Sequence, residues 1–401
     1  MRYIQDHNFY QQKAIIRVDF NVPIDDEGKI TDTARIDQAL PTIQKVLADK
    51  GAVILISHLG RPGKDAVPKE SLSLHQLLPY LKRSLLGVDI IFAKDCVGPE
   101  AVQQAKYLQP GQVLLLENLR FHSAEAQGDQ NFAKALASLG DVYINDAFAT
   151  IHRQHASTYT ITNYIQDTFV GALMQQEMTH ANKVLANIEH PFTVIIGGNK
   201  IEDKLPVIDT LLDKLDTLLV GGGVANTIHH ALGKPVGDNE ISPGYEETAR
   251  QLLARAEALQ KQIILPKDWM IYKESHGGIL VNIQFATPGD AIPPAFKIVD
   301  ISRLTIEVFQ EAVLQAKTIL WAGPLGICEI PFFSDGTGSV LATVKKATEE
   351  GAFSLIGGGN TATAVREMGY ANDVSYISTG GGALLAYLAN PQLPVIKALD
   401  R

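Results

Sequence analysis

Cysteine is scarce in this chain: two in 401 residues, Cys96 and Cys328. That excludes a disulfide framework and points to a reducing compartment, so a cytoplasmic location is expected. Each cysteine reads as a small buried apolar residue. No apolar run approaches the ~20 residues needed to span a bilayer. The opening MRYIQDHNFYQQKAIIRVDF is too polar for a secretory leader, so no membrane partner is expected. Excess positive charge is missing too. Lys and Arg number 35 against 44 Asp and Glu, a net charge of -9, which argues against nucleic acid as a partner. A local basic groove stays compatible with that balance. There is no GxxxxGK[ST] loop, no GxGxxG fingerprint, no GxSxG elbow and no His/Cys cluster at zinc spacing. These absences set aside a P-loop fold and a standard dinucleotide-binding dehydrogenase.

What is present is a repeated strand–loop–helix pattern, long enough for two domains. In the first half, AIIRV (Ala14 to Val18) reads as a buried strand ending in Asp19-Phe20-Asn21. AVILI (Ala52 to Ile56) runs into Ser57-His58-Leu59-Gly60-Arg61. VLLL (Val113 to Leu116) ends near Arg120, and VYIN (Val142 to Asn145) leads to Arg153. Asp89 to Ala93 is a further strand. Helical spacing covers Thr31 to Leu47, Ser73 to Leu86 and Asn131 to Leu139. Asp19 and Asn21 are either ligand contacts at a strand end or turn caps. Arg35 sits at a helix start, where a cation is unfavourable. It has either an anion as partner or a salt bridge to Asp32. In a parallel sheet the strand ends lie along one edge, bringing together Asp19, Asn21, Arg35, His58, Arg61, Arg120 and Arg153. Arginine forks match phosphate and carboxylate oxygens. The ligand should be small and carry more than one negative group.

Phe169 to Ile188 reads as one long amphipathic helix joining two lobes. The second half then places glycine turns after strands: VIIGGNKIEDKL from Val194, LLVGGGVANTIHHALG from Leu218, SLIGGGNTATAVREMG from Ser354 and STGGGALLAYL from Ser378. Such turns let backbone approach a ligand and leave helix N–H groups facing an anion. The plain alternative is that they only close tight strand-to-helix connections. Lys200 and Lys204 add cations. Tyr272 to Ala295 reads as a β excursion. The fold class is therefore α/β: two lobes, each a doubly wound, mostly parallel sheet flanked by helices, joined by a long connecting helix. The expected bounds are 1–168, 169–190 and 191–385. An anion site in one lobe and phosphate-binding turns in the other suggest phosphoryl transfer from a nucleotide to a small anion. That chemistry needs positioning and charge neutralisation, with water kept out.

RVDFNVP (Arg17 to Pro23), SHLGRP (Ser57 to Pro62), LLENLRF (Leu115 to Phe121), NDAFATIHRQHAS (Asn145 to Ser157), WAGPLG (Trp321 to Gly326), IGGGNTATA (Ile356 to Ala364) and STGGGA (Ser378 to Ala383) resemble the signatures of the phosphoglycerate kinase family, in the family's order. The resemblance implies exchange of phosphate between 1,3-bisphosphoglycerate and ADP, giving 3-phosphoglycerate and ATP, with Mg²⁺ accompanying ATP/ADP. It implies that Asp19, Phe20, Asn21, Arg35, His58, Leu59, Gly60, Arg61, Arg120 and Arg153 hold the phosphoglycerate. Lys200 and Lys204 would meet the nucleotide phosphates, and Lys200 with Arg35 would stabilise the transferring phosphoryl group. Glu329 would sit at the ribose, Gly358, Gly359, Asn360 and Thr361 would form the nucleotide loop, and Gly380-Gly381-Gly382 would face the transferred phosphate. It also implies a monomer whose tail, 386–401, packs back on the first lobe.

Four positions depart from the family pattern, all in the second half. Asn360 replaces the usual Asp after the glycines, so the metal position keeps a carbonyl but loses its charge. Ala322 replaces an Asn, Asn199 replaces Ala or Ser, and Ser302-Arg303 follows Asp300-Ile301 in place of Gly-Pro or Gly-Asp. They motivate a second reading, a protein that holds phosphoglycerate but transfers slowly.

Overall fold

In the computed structural model all residues are described except 26, 64–67, 275–279, 291 and 401. The chain divides into two compact units, Met1–Thr179 with Pro391–Arg401, and His180–Asn390. The boundary falls inside the helix Ala172–Lys183, and the returning tail begins at Pro391 rather than 386. The expected helix from Phe169 is shorter than its pattern suggested. Phe169 and Val170 instead extend as a strand, Thr168–Val170, because they add to the edge of the first sheet.

The first unit carries β1 (Lys13–Arg17), β2 (Ala52–Ile56), β3 (Ile90–Ala93), β4 (Val113–Leu116), β5 (Val142–Asn145) and β6 (Thr168–Val170). They pair in the order β3-β4-β2-β1-β5-β6, every pair parallel. Central strands of such a sheet are covered on both faces and need unbroken apolar runs. AVILI and VLLL are buried at every position. Amphipathic helices supply the cover: Ile36, Ala39, Ile43 and Val46 of Ala34–Ala48 enter the core that holds Phe9, Ile16, Val53 and Leu115. Pro99–Tyr107 is a helix that its polar sequence, PEAVQQAKY, did not announce. The tail helix Pro394–Leu399 buries Val395, Ile396, Ala398 and Leu399 in this unit.

The second unit carries β7 (Phe192–Ile196), β8 (Thr217–Val220), β9 (Gln262–Ile264), β10 (Trp269–Glu274), β11 (Leu280–Ala286), β12 (Lys297–Ile301), β13 (Thr318–Ala322), β14 (Phe353–Gly357) and β15 (Tyr376–Ile377). Six of them form a second parallel sheet in the order β15-β14-β13-β7-β8-β9. The β excursion is a separate antiparallel sheet, β11-β10-β12, around Trp269, Ile271, Ala286, Ile292 and Phe296. Residues 275–279 and 291 of that stretch lie outside the described ones.

Glycine has a second use here, beyond tight turns. At the carboxyl ends of β7 and β13 the backbones touch one another. A Cβ at Gly197 would lie 2.1 Å from the Pro324 carbonyl oxygen, and one at Gly323 would lie 2.1 Å from that of Gly197. Hydrogen bonds hold the contact, with Gly197 N donating to the Ala322 carbonyl at 3.0 Å and Gly198 N to that of Pro324 at 2.8 Å. Gly359 and Gly382 differ: a Cβ at either would meet nothing within 4 Å. We therefore expect Gly323→Ala, which adds both a backbone clash and a left-handed φ of +100°, to destabilise by about 1–3 kcal/mol or more in urea unfolding. Gly359→Ala should stay within about 0.5 kcal/mol of the parent. Equal unfolding midpoints for the two variants would refute the packing role.

Candidate functional site

In the first unit, the carboxyl ends of β4, β2, β1 and β5 are neighbours along one sheet edge. The loops that follow them bring Arg35, Arg120 and Arg153 near His58. Arg35 Nη1 pairs with Asp19 Oδ2 at 2.6 Å and donates to the Asn21 carbonyl at 3.1 Å. Its salt bridge is thus with Asp19 rather than Asp32. The Asp32 carboxylate instead accepts from Ala34 N at 2.8 Å, capping the helix start. Asn21 Oδ1 accepts from Gly60 N at 2.8 Å, and Arg120 donates to the Gly60 carbonyl at 2.7 Å. The loops after β1, β2 and β4 are therefore tied through Gly60. Asn118 secures the same region by donating to the Leu59 and Leu72 carbonyls at 2.7 and 2.8 Å.

Phe20 and Leu59 are buried in the hydrophobic core. Their side chains belong to packing, and the Phe20 N–H is taken by Ser57 Oγ at 2.9 Å. Asn21, Gly60, Arg120 and Arg153 are half-buried, and Arg61 is exposed. Three further groups adjoin the site: Arg17 and Ser157, which lie within the motifs, and Glu125, which no motif includes. Arg17 is 1% exposed at the end of β1. A charge closing an otherwise apolar strand was the available signal, since a buried guanidinium needs partners.

Like charges crowd here, and they act on one another's protonation. Burial, then Arg17, Arg120, Arg35 and Arg153 in that order, holds His58 well below the usual histidine range. Burial, helped by Arg153 and Arg17 and opposed by Asp19, lowers Arg120 to about 10. Burial and then Arg120 lower His155 to about 4. The carboxylates of Asp19 and Glu125 face Arg17, Arg35, Arg120 and Arg153, an arrangement short of negative charge. An arriving anion with several oxygens would supply it.

In the second unit, the turns after β7, β8, β13 and β14 share one sheet edge. Lys200 is exposed and Lys204 is half-buried, its pKa lowered by burial. The helices Gly359–Glu367 and Gly382–Ala389 start from Gly358 and Gly381, N-cap residues with no side chain to occupy the first N–H groups. Gly358 holds φ +88° and Gly381 φ +54°. Together with the open space at Gly359 and Gly382, this leaves backbone N–H groups accessible to an anion. The glycine turns thus divide: those of β7, β8 and β13 pack on one another, while those leading into the last two helices are open. Asn360 and Glu329 are exposed, whereas Thr361 is buried and its Oγ1 accepts from Gly323 N at 2.8 Å. Ala322 is fully buried at the end of β13.

One buried carboxyl stands beside the first site. Asp146, at the end of β5, accepts from Met174 N at 3.0 Å, and burial raises its pKa from 3.8 to about 7. A raised carboxyl pKa contributes stability that is full below pH ~4 and is lost as the pH climbs to about 7. Asp146→Asn should remove that loss. The variant's stability relative to the parent should rise by roughly 1–4 kcal/mol between pH 4 and pH 8 in denaturant unfolding. A relative stability that is flat across this range would show that Asp146 titrates as an ordinary carboxyl.

The chain matches the family profile described as phosphoglycerate kinase over residues 4–390. It is 44% identical over 400 residues to the phosphoglycerate kinase of Chlorobium luteolum, covering 99% of this chain and 98% of that one. With the phosphoglycerate kinase of Chlorobium phaeobacteroides the figure is 42% over 390 residues, or 97% and 96% of the two chains. Among solved structures it is similar to phosphoglycerate kinase from Coxiella burnetii, at a TM-score of 0.84 and 35% identity over 99% and 98% of the chains. It is similar as well to the enzyme from Pyrococcus horikoshii, at 0.85 and 28% over 100% and 98%.

Proposed function

The chain belongs to the phosphoglycerate kinase family, and from that premise we propose how its residues divide the reaction. It is a phosphotransferase with a carboxyl acceptor, exchanging a phosphoryl group between 1,3-bisphosphoglycerate and ADP to give 3-phosphoglycerate and ATP in glycolysis. The unit Met1–Thr179 with Pro391–Arg401 is the phosphoglycerate domain, and His180–Asn390 the nucleotide domain. The observation that carries this reading is the group of arginines around buried His58, held at one sheet edge with too few carboxylates to balance it.

In this reading His58, Arg61, Arg120 and Arg153 bind the phosphate and carboxylate ends of 3-phosphoglycerate, with Asp19 and Asn21 orienting the loops. Gly60 presents backbone, and Phe20 and Leu59 set the loop positions from the core. Arg35 and Lys200 stabilise the equatorial oxygens of the transferring group, because charge spreads over them in the transition state. Lys204, Gly358, Gly359 and Thr361 hold nucleotide phosphates at open helix starts, and Glu329 meets the ribose. Transfer rather than hydrolysis requires the two ligands to meet with water excluded, so hinge closure of the two domains accompanies catalysis. The enzyme works as a cytoplasmic monomer.

The donor set suits a divalent cation only thinly. Asn360 offers one neutral carbonyl oxygen at an exposed helix start, compatible with Mg²⁺ carried mainly by nucleotide phosphates and water. When bound, Mg²⁺ neutralises phosphate charge.

A coupled assay of 3-phosphoglycerate with ATP, with Mg²⁺ titrated from limiting to excess, tests the reading. Turnover is expected, and its absence at every Mg²⁺ concentration would leave a phosphoglycerate-binding protein in its place. Arg35→Ala and Lys200→Ala should each lower kcat on the order of 10³-fold; near-parental turnover in either would remove that residue from the mechanism. Asn360→Asp should lower the Mg²⁺ concentration giving half-maximal rate, and an unchanged Mg²⁺ dependence would show that this side chain does not reach the metal.

A further inference from the structure

Next to His58 lies a line of buried polar groups that the binding roles above do not use. Glu125 is 1% exposed and Ser157 is fully buried. Ser157 Oγ donates to Glu125 Oε1 at 2.6 Å, and Ser157 N donates to Glu125 Oε2 at 2.9 Å. The single hydroxyl proton of Ser157 is thereby committed, so its oxygen can only accept from Arg17 Nε, at 3.0 Å. Arg17 also donates to the Val18 carbonyl and, through Nη2, to His58 Nδ1 at 3.0 Å.

A guanidinium has donors and no acceptor. His58 Nδ1 must therefore be the acceptor. The competing partner, Asp19 Oδ1, is 3.7 Å from Nδ1, beyond hydrogen-bond range. Burial and the surrounding arginines keep the ring neutral. We propose that Glu125, Ser157 and Arg17 form a positioning chain that fixes His58 as the Nε2–H tautomer, making that N–H the donor His58 offers to the bound phosphoglycerate. The proposal rests on the assignment of His58 to the phosphoglycerate site. Glu125, Ser157 and Arg17 are positioning residues: they act on substrate through His58. A protonated Nδ1 would face Arg17 donor to donor, so the chain selects against both the other tautomer and the imidazolium.

Nitrogen-15 NMR of the histidine side chains in the ligand-free enzyme reads this directly, with the His58 signals assigned by loss in His58→Asn. In the parent, Nδ1 should resonate as an unprotonated ring nitrogen and Nε2 as a protonated one. Ser157→Ala removes the acceptor of Arg17 Nε. It should shift the His58 signals toward a mixture of tautomers and raise KM for 3-phosphoglycerate on the order of tenfold, with kcat much less affected. Ser157→Thr, which restores the hydroxyl, should recover both. A parental His58 protonated on Nδ1 overturns the proposal, and that reading stands even if Ser157→Ala does not fold. Unchanged tautomer and KM in folded Ser157→Ala overturn it as well. Because the tautomer is measured without ligand, a failure of the site assignment shows separately, as absence of any 3-phosphoglycerate effect on the parental His58 signals.

Discussion

Guanidinium groups held close together at a partly buried sheet edge repel one another and lose part of their hydration, and the first domain is arranged around that constraint. Arg17 is satisfied on three sides by Ser157, the Val18 carbonyl and His58. Arg35 leans on Asp19 and the Asn21 carbonyl, and Arg120 on that of Gly60. Three of these contacts reach backbone carbonyls, those of Val18 and Asn21 after β1 and of Gly60 after β2, and the others reach side chains. The loops after β1, β2 and β4 are in this way fixed by the charges they carry. The arginines at this sheet edge outnumber the carboxylates beside them, and a small polyanion would compensate the excess.

In the second domain the feature left open is backbone rather than side chain, and backbone needs space. Glycine serves in two ways there. At Gly197 and Gly323 it lets strand ends pack on each other, with backbone hydrogen bonds of 2.8 and 3.0 Å across the contact. At Gly359 and Gly382 it leaves helix starts open. The first use packs two strand ends together, and the second leaves helix starts open.

The departures from the family pattern fall into this second domain and are structurally mild. Ala322 is buried with its carbonyl bonded to Gly197 N. Arg303 lies on the first turn of the helix Arg303–Gln315 and pairs with Glu307 at 2.9 Å. Asn360 puts a neutral oxygen where the family pattern has a charged one, at an exposed position.

Much of this was legible in the residues themselves. Unbroken apolar runs such as AVILI and VLLL demand burial on both faces, so they announced parallel strands and an α/β fold. Polar groups at the ends of those runs, Asp19, Asn21, His58, Arg120 and Arg153, announced a cluster of charged groups, because a parallel sheet places such ends on one edge. Other features depend on groups distant in the chain and have no local signature. Phe169 and Val170 read as helix but became strand because the edge of β5 offered hydrogen bonds. Arg35 chose Asp19 over its near neighbour Asp32 because the turn of its helix brought the former within 2.6 Å. The sequence could not say which glycines pack and which stay open, since that depends on whether another backbone lies within reach of the missing Cβ. Nor could it show that Glu125 and Ser157, 32 residues apart, would meet under Arg17 to orient His58. Local residue pattern determined the strands, the sheet edge and the charge placed there. Long-range packing alone decided which of those charges would be paired with one another and which left for a ligand.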